Sequence, residues 1–354
     1  MRLVYLTTKT YPGSTADHAY VRFLAHGLSR AWDGVFELVV RSAANVDIEN
    51  IPIRIVHAPR RFRSAWMFFW VPWYCFRHPA KDGTVFFSND LNLLSASILW
   101  KKLFRHTYIV SDWHELSGTW KDRFVARRST LCICTTQHLA QNLIAATGTK
   151  KPVEAIYGGV DMSAFALPPI PRSALALPDA ATLVGYVGYF TTHGYEKGLR
   201  TLIDSMQYVE DAHVVLVGAR GSERDEYAAY AEQRVPGRFH IVDAQTFTRA
   251  TAYERVMDVL VIPYPDEPHF REYGFPMKTY EYIAAGKPIV YSNLPILMEV
   301  LEKRGVPFSP GDAKDLARAI RTAISTPASP DSARKEYSWD AKAARIVAAI
   351  QSHI

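Results

Sequence analysis

The stretch FREYGFPMKTYEYIAAGKPIV, residues 270–290, concentrates groups that could do chemistry. Pro276 suits a first helical turn, Gly286 an exit and Pro288 a stop, so a short helix with a well-marked start is predicted. Lys278 and Glu281, three apart, share one face of it. Exposed amides at the helix start, aided by Lys278, would attract phosphate, and the Glu281 carboxylate could accept both hydroxyls of a ribose. The plainer reading is a surface Lys and Glu pair worth only a few tenths of a kcal/mol.

Asp112 and His114 form a second group, in VSDWHEL at the end of an apolar run, where a strand would deliver them to a carboxyl edge. Local hydrogen bonds in a strand-to-helix turn are the plainer account of both. The loop KTYPGSTADHAYVR holds Gly13, Ser14, Asp17 and His18 but no G-x-G-x-x-G, so it is a weak dinucleotide signal and reads equally as a turn with a helix cap. No carboxylate and histidine spacing resembles a metal site, and Cys132 and Cys134 alternate in TLCICTT as neighbours on one strand face. No metal and no other cofactor is expected.

The elements that must position these groups are legible as alternation. RLVYLTT, FELVVRS, IPIRIVHAP, TVFFSND, TYIVSDWH and TLCICTT are strand-like runs separated by amphipathic segments, which implies a mainly parallel sheet. TLVGYVGYF, AHVVLVGA, RFHIVDA, DVLVIPY and PIVYSN repeat the pattern. The expected fold is α/β with two doubly wound, Rossmann-like domains: residues 1–165, a proline-rich linker over 166–180, residues 181–336, and a carboxy-terminal helix over 337–354 packing back toward the first domain. Ligands would lie in a cleft between the carboxyl ends of the two sheets.

Charge divides unevenly over the 354 residues: the net +6 is made of +8 in residues 1–165 and −2 in the rest. Clusters at Arg60, Arg61 and Arg63, at Lys101, Lys102 and Arg105, and at Arg123, Arg127 and Arg128 could meet anionic lipid or nucleic acid, but no nucleic-acid module is recognisable. The segment RSAWMFFWVPWYCFRHP, residues 63–79, is too short to span a bilayer, which takes roughly 20 apolar residues, and contains Pro72. As a helix over 64–78 it carries a stripe of Trp66, Phe69, Trp70 and Trp73, bounded by Arg60, Arg61, Arg63 and Arg77, the composition of an interfacial segment. Core packing is the alternative. The amino terminus has no cleavage signal, and a cytoplasmic protein, peripheral at the inner face of the membrane, is expected.

The ordered set DWHEL (112–116), IYGGVDMSAF (156–165), GYEKGLRTLIDSM (194–206), VVLVG (214–218), DVLVIPY (258–264), EYIAAGKP (281–288) and YSWDAKAARI (337–346) resembles the landmarks of family 4 (group 1) glycosyltransferases of the GT-B fold. The resemblance covers nearly the whole chain. It implies that Glu281 holds the nucleotide ribose and that Lys197 contacts the donor diphosphate, offsetting charge on the leaving group. Tyr189 stands where the family carries an arginine, and Lys278 could supply the missing cation, as in the similar xanthan-type glucuronosyltransferases. Glu272 and Glu281 are separated by eight residues instead of the family's seven, which leaves Glu272 or Glu267 to face the sugar, Glu272 being preferred. Gly13, Asp17 and His18 become acceptor candidates. Asp112 would be the general base of an inverting enzyme, whereas His114 would hold the donor sugar in a retaining one.

The function so implied is bacterial: transfer from a nucleotide sugar, a UDP-sugar first, to a lipid-linked or glycan acceptor at the cytosolic membrane face, in polysaccharide or glycolipid biosynthesis, without metal. A non-catalytic nucleotide-sugar-binding protein and a sugar epimerase on the same fold are the alternatives.

Overall fold

The computed structural model describes residues 1–11, 16–40, 42–43, 51–55, 63–79, 81–101, 104, 106–192, 194–273, 277–326 and 332–354. Its first unit comprises Met1–Gly159 and Glu336–Ile354, and its second comprises Val160–Lys335.

In the first unit the six apolar runs become six of seven parallel strands, β1 (Arg2–Leu6), β2 (Val35–Val40), β3 (Ile53–Ile55), β4 (Thr84–Ser88), β5 (Thr107–Trp113) and β6 (Leu131–Cys134), and the short β7 (Val153–Ala155), which no apolar run marks, is the seventh, in the order β3-β2-β1-β4-β5-β6-β7. Each pairing is parallel because a helix or long crossover returns the chain to the same edge. Strand order therefore reverses between β1 and β4, and loops leaving these two strands diverge there.

The second unit repeats the design with β8 (Thr182–Val187), β9 (Ala212–Ala219), β10 (Phe239–Asp243), β11 (Val259–Ile262), β12 (Ile289–Ser292) and β13 (Gly305–Phe308), ordered β10-β9-β8-β11-β12-β13. Its reversal falls between β8 and β11. The proline-rich stretch belongs to this unit, where Arg172 ties it down through the carbonyls of Val256 and Ala181 and the carboxylate of Asp258.

The Trp339–Ser352 helix packs on the Ala16–Ala31 helix within the first unit. Small residues make the approach possible: a Cβ on Gly27 would lie 2.8 Å from that of Ala343, and one on Gly159 would lie 2.7 Å from the Trp339 ring. Trp339 is buried edge-on to Tyr20 and stacked beside Phe23.

The aromatic segment forms the Arg63–Arg77 helix. Of the expected outer stripe, Trp70 packs inward, stacked on the buried Tyr74 at 4.8 Å. Phe69, Trp73 and Phe76 face outward, 63%, 50% and 77% exposed. Arg77 ends the helix, while Arg60 and Arg61 and the side chains of Arg63 and Trp66 lie outside the described residues. Among the described residues no helix is long and apolar enough to cross a membrane.

Candidate functional site

At the carboxyl end of β8 the chain turns through Gly188, Tyr189 and Phe190, against the turn that leaves β9. Gly188 N–H donates to Val217 at 2.7 Å, and a Cβ on Gly218 would lie 2.1 Å from the Gly188 carbonyl, so only glycine permits the approach. Each residue of the first turn meets one basic residue, through its side chain or, for Lys197, its backbone amide. Lys278 Cε lies 2.9 Å from where a Gly188 Cβ would stand, the Arg220 guanidinium lies 3.1 Å from the Tyr189 ring centroid, and Lys197 N–H donates to the Phe190 carbonyl at 3.1 Å.

The Glu196-Lys197-Gly198 triplet explains how Lys197 is presented. Glu196 accepts hydrogen bonds from the amides of Gly198 (2.8 Å) and Leu199 (2.5 Å) and from Tyr227 (2.9 Å), capping the Leu199–Ser205 helix. Gly198 has φ +78°, and a Cβ there would fall 1.7 Å from the Pro263 carbonyl. These two neighbours lock the segment beside the end of β11, and Lys197 Nζ lies 6.0 Å from the Tyr264 ring centroid. Burial, reinforced by the charges of Lys278 and Arg220, pushes the Lys197 pKa down to about 8, although Glu281 works the other way. An ammonium so placed is stabilised by an arriving anion.

Lys278 and Glu281 lie on the Met277–Ala285 helix, whose expected first-turn residue, Pro276, is outside the described residues. They form an ion pair whose lysine is half-buried and whose carboxylate is buried, and Lys278 also reaches the buried Glu254 Oε1 at 3.1 Å. Burial opposes the Lys278 charge, but the two carboxylates outweigh it and raise its pKa. Burial lifts Glu254 to about 8 against the pull of Lys278. The Lys278 charge is thus held between two carboxyl groups.

Glu267 and Glu272 occupy the segment after β11, both half-buried. The Glu267 carbonyl accepts the amides of Phe270 and Arg271, and Glu272 lies in a π-helical turn, His269–Tyr273, anchored by Phe270 stacked on Tyr264 at 4.7 Å.

In the first unit Asp112, near the end of β5, has a fully buried side chain. Its Oδ2 accepts from Tyr20 at 2.7 Å and meets His114 Nε2 at 3.1 Å, and the imidazole is the outward member of the pair, 23% exposed. Burial would raise the Asp112 pKa, but His114, Lys342 and the Tyr20 hydrogen bond outweigh it and hold the carboxyl below its ordinary value. Lys342, on the Trp339–Ser352 helix, is itself buried and pushed down to about 8. His18 is half-buried on the Ala16–Ala31 helix, whereas Gly13 and the side chain of Asp17 lie outside the described residues. Sequence reading missed Asp90, which stands at the β1/β4 reversal, accepts from Thr8 at 2.6 Å and caps the Leu91–Trp100 helix; SND before an apolar run was the available signal. It also missed Arg220, Glu254, Tyr20 and Lys342. Among the described residues no three His, Cys, Asp or Glu side chains are grouped to hold a metal ion.

Comparison with known proteins places this geometry. Residues 181–326 match the sequence family described as glycosyl transferases group 1. No curated protein matches the chain by sequence. Among solved structures, a sucrose-phosphate synthase from Thermosynechococcus elongatus superposes with TM-score 0.73 at 19% identity, covering 99% of this chain and 98% of its own. The Anabaena protein HepE in complex with UDP-glucose gives 0.72 at 17%, and the lipopolysaccharide outer core galactosyltransferase WaaB gives 0.75 at 14%, each covering 100% of both chains. The shared fold is GT-B, two Rossmann-like units.

Proposed function

We propose that this chain, whose residues 181–326 match the group 1 glycosyl transferases, is itself a glycosyltransferase that uses a nucleotide-sugar donor, specifically a UDP-sugar, and a lipid-linked or glycan acceptor at the cytosolic face of a bacterial membrane, in polysaccharide or glycolipid assembly. The observation that carries the donor reading is Lys197: a half-buried ammonium without a carboxylate in ion-pair distance among the described residues, locked beside β11 and within electrostatic reach of Glu281. Lys197 offsets the charge that builds on the departing diphosphate, and Glu281, braced by Lys278, accepts the ribose hydroxyls. With lysine doing this work, the reaction proceeds without a metal ion. The HepE neighbour, solved with UDP-glucose, supports uridine as the base.

The first unit supplies the acceptor side. Asp112, clamped by Tyr20, fixes the His114 ring, and the imidazole is the polar group that a sugar hydroxyl meets. The outward rings Phe69, Trp73 and Phe76, with Arg77 beside them and a net +8 over residues 1–165, suit an anionic bilayer surface that presents a lipid-borne acceptor.

A melting panel with uridine, guanosine and adenosine sugars tests the donor: a ligand at 100 times its Kd adds roughly 2.7 kcal/mol. Nucleotide release that requires a membrane-extract acceptor, and is lost in Lys197→Ala and Glu281→Ala, is the expected result. Stabilisation without release in any extract makes the chain a binding protein, and unchanged melting with every donor rejects the reading.

A further inference from the structure

We infer that Arg220, carried on the ring of Tyr189, is a diphosphate-binding residue of the donor site, and that Lys278 is not. The inference rests on the nucleotide-sugar reading and deepens it. Three cations surround the Gly188–Phe190 turn, and what each charge is already committed to separates them. Lys278 is enclosed by Glu254 and Glu281, so its charge is spent inside the trio. Lys197 and Arg220 have no carboxylate within ion-pair distance among the described residues.

Glu223, the acid nearest to Arg220 in sequence, is occupied elsewhere. One of its oxygens accepts the Arg220 backbone amide at 2.8 Å and the other accepts the Thr191 hydroxyl at 3.2 Å. The Glu223 amide returns a bond to the Arg220 carbonyl at 3.0 Å, closing the turn and fixing where the arginine side chain starts. The guanidinium then lies over the Tyr189 ring, whose own backbone is held by the Tyr186 hydroxyl at 3.1 Å. A guanidinium stacked by its face keeps its in-plane N–H groups for other partners, and that planar fork matches two oxygens of a phosphate. Lys197 adds a point charge from the neighbouring segment. At 189, therefore, a ring replaces a cation because it carries the cation of the adjacent turn.

The test is calorimetric titration of the full chain with UDP, GDP and ADP and the corresponding monophosphates, taking for the bound base the ratio of diphosphate to monophosphate affinity. Arg220→Ala is expected to lower that ratio about tenfold, the worth of one charge-assisted hydrogen bond, with Arg220→Lys intermediate. Tyr189→Leu should lower it in the same sense, and Tyr189→Phe, which keeps the ring, should restore it. Lys278→Met should weaken diphosphate and monophosphate alike, through Glu281. A ratio unchanged in Arg220→Ala while wild type binds the diphosphate, or a loss confined to the diphosphate in Lys278→Met, overturns the inference alone. Wild type that binds no nucleoside diphosphate overturns it together with the donor reading.

Discussion

The two sheets share one strand order and place opposite chemistry at the same topological position. Where order reverses in the first unit the exposed strand ends carry carboxylates: Asp90 bonded to Thr8, and Asp112, one strand further along, bonded to Tyr20. In the second unit the same edge carries cations, Lys197 and Arg220, set beside the rings of Tyr264 and Tyr189. Hydroxyls fix the anions and aromatic faces orient the cations. Strand order sets where the loops of each sheet diverge, and the few residues after each strand set the charge found there.

Removing the cation that dominates the second unit should have the largest effect. Lys197→Ala is expected to lower kcat by about 10²–10³, the usual consequence of deleting one preorganised group that stabilises developing negative charge. The pH dependence follows from burial: with its pKa pushed down to about 8, Lys197 is an ammonium below that pH and neutral above it. Donor affinity measured as KM should therefore weaken as pH rises through 8, and Lys197→Arg should move that limb beyond the measurable range. A KM flat from pH 7 to 9 would remove Lys197 from the contact with the donor.

Breaking the anionic side should cost less. Asp112→Asn retains shape and loses the charge that orients His114, so kcat should fall about tenfold to a hundredfold with donor KM nearly unchanged. Its stability signature has a defined sign. A carboxylate whose pKa is depressed in the folded state adds stability above its unfolded pKa and loses it as pH falls through the folded value. Wild type and Asp112→Asn should thus differ in melting temperature at pH 7 and converge in strong acid. A rise in donor KM instead of a fall in kcat would erase the division of labour between the units.

How much of this could be read before folding depends on how far apart the partners lie in the chain. Most strands are legible because apolar runs of four to seven residues between amphipathic stretches allow little else, whereas the three-residue β7 and the glycine- and proline-bearing β13 carry no such run. Lys197 and Glu281 were legible because their surroundings are local: a capping acid and a glycine flank the first, and the lysine one turn back braces the second. Asp112 was visible as a strand-end acid, but its clamp, Tyr20, is 92 positions away, and Asp90 meets Thr8 across 82. The Tyr189–Arg220 contact joins two loops that only strand order brings together. The second carboxyl group that meets Lys278, Glu254, sits 24 residues upstream on another helix, so local spacing shows only the pairing with Glu281. For the Arg63–Arg77 helix, spacing identified a face rich in rings but not where the core begins, since tryptophan and phenylalanine serve both sides.

That helix provides the mildest test of the contrast, because among the described residues only the first unit presents several large aromatic side chains outward from one helix. Phe69, Trp73 and Phe76 are each at least half exposed, so replacing one with serine should change the melting temperature little and leave donor binding as it is. Partition onto vesicles containing anionic lipid should weaken by roughly fivefold per ring, about 1 kcal/mol for withdrawing one side chain from an interface. Trp70→Ala should do the reverse, lowering the melting temperature through the lost stack on Tyr74 while leaving partition nearly unchanged. Added salt should weaken binding further if Arg77 and its basic neighbours contribute, because headgroup attraction is screened within a Debye length. Equal partition of wild type and the triple serine variant would mean that these rings serve something other than a bilayer, and the first unit would then meet its acceptor in solution.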